Sequence, residues 1–161
     1  MNAQSVRNKM DLVQYYAINE NCDLLVLAET WLNESETQLY ELQGYNAVHS
    51  CRIDRGGGVS IYVKDTINYR KVAKANINDR VSWVCVAIGE QKLKVSGIYK
   101  PLSYDNNTFL LLLKSLFVKH QKRHIIVGDF NINLLENTNV VVNYKNLVSV
   151  YNFAIKIDIQ V

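Results

Sequence analysis

Proline is almost missing from this chain, with one residue, and glycine is sparse, with seven among 161. A long flexible linker needs one or the other, so residues 1–161 read as one domain, large enough for a proper core. Cysteine is scarce as well: Cys22, Cys51 and Cys85 are odd in number and show no CxxC spacing. That pattern argues against a disulfide framework or a zinc site, and reduced, mostly buried thiols are expected. The histidines, His49, His120 and His124, have no Cys or His partner at ligand spacing and belong to no recognisable triad. Apolar runs such as Phe109–Leu113 are far too short for a bilayer, and no basic stretch leads into an apolar signal segment. An intracellular protein, nuclear compartments included, with no membrane partner is the expectation. Neither charge sign dominates: 18 Lys+Arg against 15 Asp+Glu leave +3, which tolerates a polyanionic partner without demanding one. Nothing in the sequence speaks to oligomeric state.

What the chain does contain is a series of apolar segments that end in polar residues. Ser5 is placed to cap a helix carrying Val6, Met10, Val13 and Ala17, ending near Asn21. Residues 23–28 form an apolar strand covered on both faces, stopping at Glu29-Thr30-Trp31. Residues 33–42 suit a short helix, and the alternation of Val59, Ile61 and Val63 predicts a strand entered through Gly56-Gly57-Gly58. Strands over 81–88 and 92–99 are joined by a compact connection at 89–91. Helices over about 107–121 and 143–153 flank a buried strand at Ile125-Ile126-Val127, and Ile155, Ile157 and Ile159 alternate again at the end. Helices interspersed among hairpins favour a layered α/β sandwich over a doubly wound sheet.

The chemistry-bearing residues cluster at predicted strand ends. Asp129 and Asn131 follow the apolar run of 125–127, and in extended chain residues two apart share a face. Asp can orient or deprotonate a water, while Asn can hold a phosphate without adding negative charge. A plain Gly-Asp-x-Asn turn accounts for the pair equally well. Glu29 suits a hard cation that takes one or two carboxylates plus phosphate oxygens, or else a solvated strand exit. Tyr99 closes an alternating strand, where its hydroxyl could reach a phosphate oxygen. The Arg55-Gly56-Gly57-Gly58 stretch lacks the Lys-Ser/Thr of a P-loop and reads as a tight turn, with Arg52 and Arg55 suited to a nucleic-acid backbone.

Taken in order, Asn2-Ala3-Gln4-Ser5, Glu29-Thr30-Trp31-Leu32, Arg55-Gly56-Gly57-Gly58-Val59, Gly97-Ile98-Tyr99-Lys100-Pro101 and Gly128-Asp129-Phe130-Asn131-Ile132 resemble one family. It is the endonuclease/exonuclease/phosphatase superfamily, and within it the endonuclease domain of non-LTR (LINE-type) retrotransposon polyproteins. The resemblance runs over essentially the whole chain. It implies a four-layered αββα sandwich, incomplete here because the first strand and the C-terminal strands are missing. It further implies that Glu29 binds Mg²⁺ or Mn²⁺ with help from Asn2, Tyr99 contacts the phosphate, Asp129 positions the water and Asn131 holds the scissile phosphate. The activity implied is hydrolytic nicking of DNA.

One departure is chemical. The family carries a late Asp-His pair, and this chain has no histidine after His124; Asp158 is no substitute. Losing one member of a cooperating set commonly costs orders of magnitude in turnover. The chain therefore reads as a fragment truncated at both ends. Two functions follow: a metal-dependent DNA endonuclease domain, or a non-catalytic remnant that binds nucleic acid weakly. A phosphoinositide phosphatase or sphingomyelinase is disfavoured by the ETWL, RGGGV and IYKP blocks.

Overall fold

The computed structural model describes residues 1–53, 56–90, 92–119 and 123–156, which form two compact units. The first comprises Met1–Pro101 with Arg123–Phe130, and the second is drawn from Leu102–Lys122 and Asn131–Val161. The class is α+β with two sheets, as expected.

In the first unit, α1 (Met10–Asn19) precedes β1 (Leu24–Ala28) and a 3-10 helix (Glu34–Tyr40). Then come β2 (Tyr45–Ser50), β3 (Val59–Lys64), β4 (Tyr69–Ile77), β5 (Val81–Ile88), β6 (Leu93–Tyr99) and β7 (His124–Asp129). One sheet has the order β1-β3-β2 and the other β4-β5-β6-β7; every pairing is antiparallel except β6 with β7. Period-two alternation in β3 divides the core. Val59, Ile61 and Val63 join Val84, Val86, Val95 and Tyr99 between the sheets, whereas Tyr62 joins Val13 and Ala17 of α1 on the other face. A Cβ on Gly97 would sit 2.8 Å from Val59 Cγ2 and 2.9 Å from Val26 Cγ1, so the sheets approach closely just before Tyr99.

In the second unit, α2 (Asn106–Lys119) opens with Asp105 accepting the Thr108 backbone N–H at 2.8 Å, and α3 (Asn139–Val150) is capped by Thr138. Phe117 of α2 stacks on Phe153, just past the end of α3, with ring centroids 4.4 Å apart. No helix among the described residues is long and apolar enough to cross a membrane.

Several expectations need correcting. Ser5 does not cap α1. It has a positive φ of 78°, and the helix starts at Met10, after Lys9, because Ser5 and Val6 spend their backbone N–H groups on Glu29 and Thr30. Strands β2 and β4 were not expected; both are sheet edges whose polar and charged residues obscure the apolar alternation. The last helix begins four positions early, at Asn139, since Thr138 supplies the cap. The strand β7 is not buried: as an edge strand it leaves Ile125 49% and Val127 39% exposed. His120 and the end of the 155–159 alternation lie outside the described residues.

The cysteines are free, with Cys51 and Cys85 buried. Burial, with Glu34 adding to it, pushes the Cys51 thiol up to about 12, so it stays protonated. His49 packs edge-on against Tyr62, and its Nδ1 lies 2.7 Å from Ser60 Oγ. Burial first, and then the Lys74 cation, lower its pKa to about 4. The unfolded chain therefore binds a proton there that the folded chain refuses between pH 6.5 and about 4. The stabilisation is complete above that window and declines as pH falls through it, by on the order of 1–3 kcal/mol. Urea unfolding across this range should slope downward toward acid in the wild type and flatten in His49→Gln. Equal slopes would contradict the assignment.

Candidate functional site

The site begins with a piece of chain that is neither helix nor strand. Asn2 makes a parallel bridge to Ala28 at the end of β1. Around it, Ala28 N–H donates to Met1 O at 2.9 Å and Ala3 N–H to Ala28 O at 2.8 Å. The ladder then continues past the strand, with Ser5 N–H to Glu29 O at 2.8 Å and Val6 N–H to Thr30 O at 3.2 Å. To keep this register the backbone turns left-handed on both sides: Gln4 at φ 44° and Ser5 at 78°, Glu29 at 55° and Trp31 at 57°. Each such non-glycine residue costs roughly 1–2 kcal/mol, and strain of this kind collects at functional sites.

Glycines let a second loop close in. Gly56, Gly57 and Gly58 all have positive φ, and Gly57 O accepts the Trp31 N–H at 2.8 Å. A Cβ on Gly57 would lie 2.6 Å from Arg52 Cδ and 2.7 Å from Tyr99 Cε1; one on Gly58 would lie 2.7 Å from Thr30 Oγ1. The tight turn expected at these glycines is therefore present, and its purpose is close approach. Arg52 is held by Nε donating to Asp79 O at 3.1 Å.

One long-range side-chain bond and one close charge gather the strand ends. Asn2 Nδ2 donates to Asp129 Oδ2 at 2.8 Å, across 127 positions of chain. Tyr99, 7% exposed at the end of β6, lies near enough to Glu29 to feel its charge. Burial, then the negative charge of Glu29, raise the Tyr99 pKa above its ordinary value; Asp129 adds to this and Arg52 opposes it. The hydroxyl is thus a proton donor at neutral pH. Tyr99 and Asp129 are register partners in the parallel β6–β7 pair, and Lys100 N–H donates to Asp129 O at 2.9 Å. Gly128, just before, passes so near the Ile98 carbonyl that a Cβ there would collide with it.

Of the residues expected here, Asn2, Glu29, Arg52, Tyr99 and Asp129 come together. Asn131 belongs to the second unit, and its φ of 49° ends the extended run, so the shared-face argument from Asp129 does not reach it. Arg55 lies outside the described residues. Sequence reasoning missed Lys100, which is fully buried with its ammonium donating to Pro101 O at 3.1 Å. Its place between Tyr99 and the strand-ending Pro101 was the only available signal. His49 and His124 are engaged elsewhere, His124 Nε2 lying 2.8 Å from Ser96 Oγ. Among the described residues no group of three or more His, Cys, Asp or Glu could hold a metal by itself. A cation needing a full protein cage does not fit, whereas Mg²⁺, which keeps waters and takes one or two carboxylates, does.

A model of the Endonuclease/Exonuclease/phosphatase family matches residues 1–143. The chain belongs to this family. Its fold is shared with the endonuclease domain of TRAS1, a telomere-specific non-LTR retrotransposon, at TM-score 0.70 and 15% identity over 94% of this chain and 68% of that one. An AP endonuclease from Archaeoglobus fulgidus is similar at TM-score 0.59 and 16% identity, covering 92% and 68% of the two chains. The human Nocturnin catalytic domain follows at TM-score 0.58 and 16% identity, covering 88% and 61%. The chain thus spans from 61% to 68% of the length of these structures. A search of curated proteins gives no match.

Gly57→Ala places a methyl group against the Tyr99 ring in a left-handed backbone. It should lower stability by about 1–3 kcal/mol, read as a lower urea midpoint. An unchanged midpoint would mean that the loop does not close on Tyr99.

Proposed function

We propose that this family member is a hydrolytic phosphodiesterase domain of non-LTR retrotransposon type, which nicks DNA with Mg²⁺ or Mn²⁺. The observation that carries this is the Asn2–Asp129 bond beside Tyr99, the register partner of Asp129, with Glu29 near enough to act on the same phenol; two carboxylates, an amide and a phenol thus share one rim. Likeness in fold to a retrotransposon endonuclease domain and an AP endonuclease supports nucleic acid as the substrate class.

In this reading Glu29 holds the cation, with Asn2 beside it. When bound, the cation would polarise a phosphoryl oxygen and stabilise the leaving group. The Asn2 amide donates to Asp129 and so fixes the carboxylate that would take a proton from an attacking water. The protonated Tyr99 hydroxyl can donate to a phosphate oxygen. Arg52 contributes a positive charge toward the neighbouring DNA backbone.

A second reading is favoured by one observation. The described histidines are bonded to Ser60 and Ser96, and none follows His124, so the imidazole of the family's Asp-His pair has no counterpart here. The chain would then bind nucleic acid weakly without cutting it.

Supercoiled plasmid incubated with the chain and Mg²⁺ separates the two. Endonuclease activity predicts open-circular product that falls about 10²–10⁴-fold in Asp129→Ala and Glu29→Gln. A remnant gives no product but retains DNA on a filter in a salt-sensitive way. Nicking indifferent to both substitutions, or no retention at low salt, would contradict the respective reading.

A further inference from the structure

Trp31 is a large apolar side chain displayed rather than buried. It is 40% exposed, while its neighbours Thr30 and Leu32 are 1% and 2% exposed. Both flanks are therefore anchored in the interior, and the indole between them is left outside. The backbone adds to this: Trp31 has φ 57°, a conformation disfavoured for a bulky residue, and its N–H is fixed on Gly57 O at 2.8 Å. The indole nitrogen lies over Gly56, where an added Cβ would be 3.9 Å away. Strain is thus spent on keeping an aromatic face turned outward, with rigid support beneath it.

Its place along the chain says what it faces. Two residues of chain span at most about 7 Å, so Trp31 lies that close to Glu29. Through Gly57 it adjoins the loop that carries Arg52, whose guanidinium and the Tyr99 ring both border the same glycine. A rigid aromatic plane beside a cationic and phosphate-directed group matches the chemistry of a nucleotide, with its flat base on one side and its charged linkage on the other.

We infer that Trp31 is a stacking platform for an unstacked nucleobase next to the linkage held at Glu29 and Asp129. The site would then select single-stranded or locally opened nucleic acid over phosphate esters that carry no base. This rests on the phosphodiesterase reading above and names its substrate more narrowly.

The chain has two tryptophans, and Trp83 is bound within its sheet through Nε1 to Ser96 Oγ at 3.0 Å. In a Trp83→Phe chain, emission therefore reports on Trp31 alone. A short single-stranded oligonucleotide should quench that emission, and one of the same length built from abasic sugars should not. Trp31→Ala should weaken binding of the base-bearing strand about 5- to 150-fold, and Trp31→Phe should restore most of it. Binding of both strands with equal affinity and no quenching would overturn the stacking role while leaving the phosphodiesterase reading intact. Binding of neither strand at low salt would overturn both.

Discussion

The site depends on one constraint, the four-rung backbone ladder that ties Met1–Val6 to Ala28–Thr30. It continues where β1 has ended, and it holds Glu29 in a left-handed turn the residue would not adopt alone. Those bonds set Asn2 where its side chain meets Asp129.

The remaining contributors are placed by the sheets. Gly97 lets the two sheets approach at β6, bringing Tyr99 to the end of the apolar layer, where it is buried near the charge of Glu29. The parallel pairing of β6 with β7 sets Asp129 opposite Tyr99. A small set of close backbone approaches, at Gly57, Gly58, Gly97 and Gly128, surrounds this point. Glycine is sparse in the chain, and most of it is used here.

Much of this was legible in the residues. The alternation of β3, the apolar run of β1 and the helical spacing of α2 gave those elements because each buries a clear stripe. Strands β2 and β4 were hidden because polar residues in the first, and lysine and arginine in the second, break up their apolar alternation. Ser5 looked like a helix cap because serine caps helices, but tertiary hydrogen bonds claimed its backbone first. Asp129 and Glu29 were visible as carboxylates at strand exits. Their convergence was not, since it depends on an amide 127 positions from Asp129 and on the parallel pairing of β6 with β7. Trp31 was passed over because nothing in a sequence says that a tryptophan faces outward.

Paramagnetic broadening by Mn²⁺ in the nuclear magnetic resonance spectrum of the chain tests the central claim most directly. Substoichiometric Mn²⁺ should broaden the amide signals of Ala28–Trp31, Tyr99 and Asp129 first, and Glu29→Gln should abolish that pattern. Broadening centred on Glu34 and Glu36, or spread evenly over the acidic surface, would contradict a shared cation pocket at these strand ends.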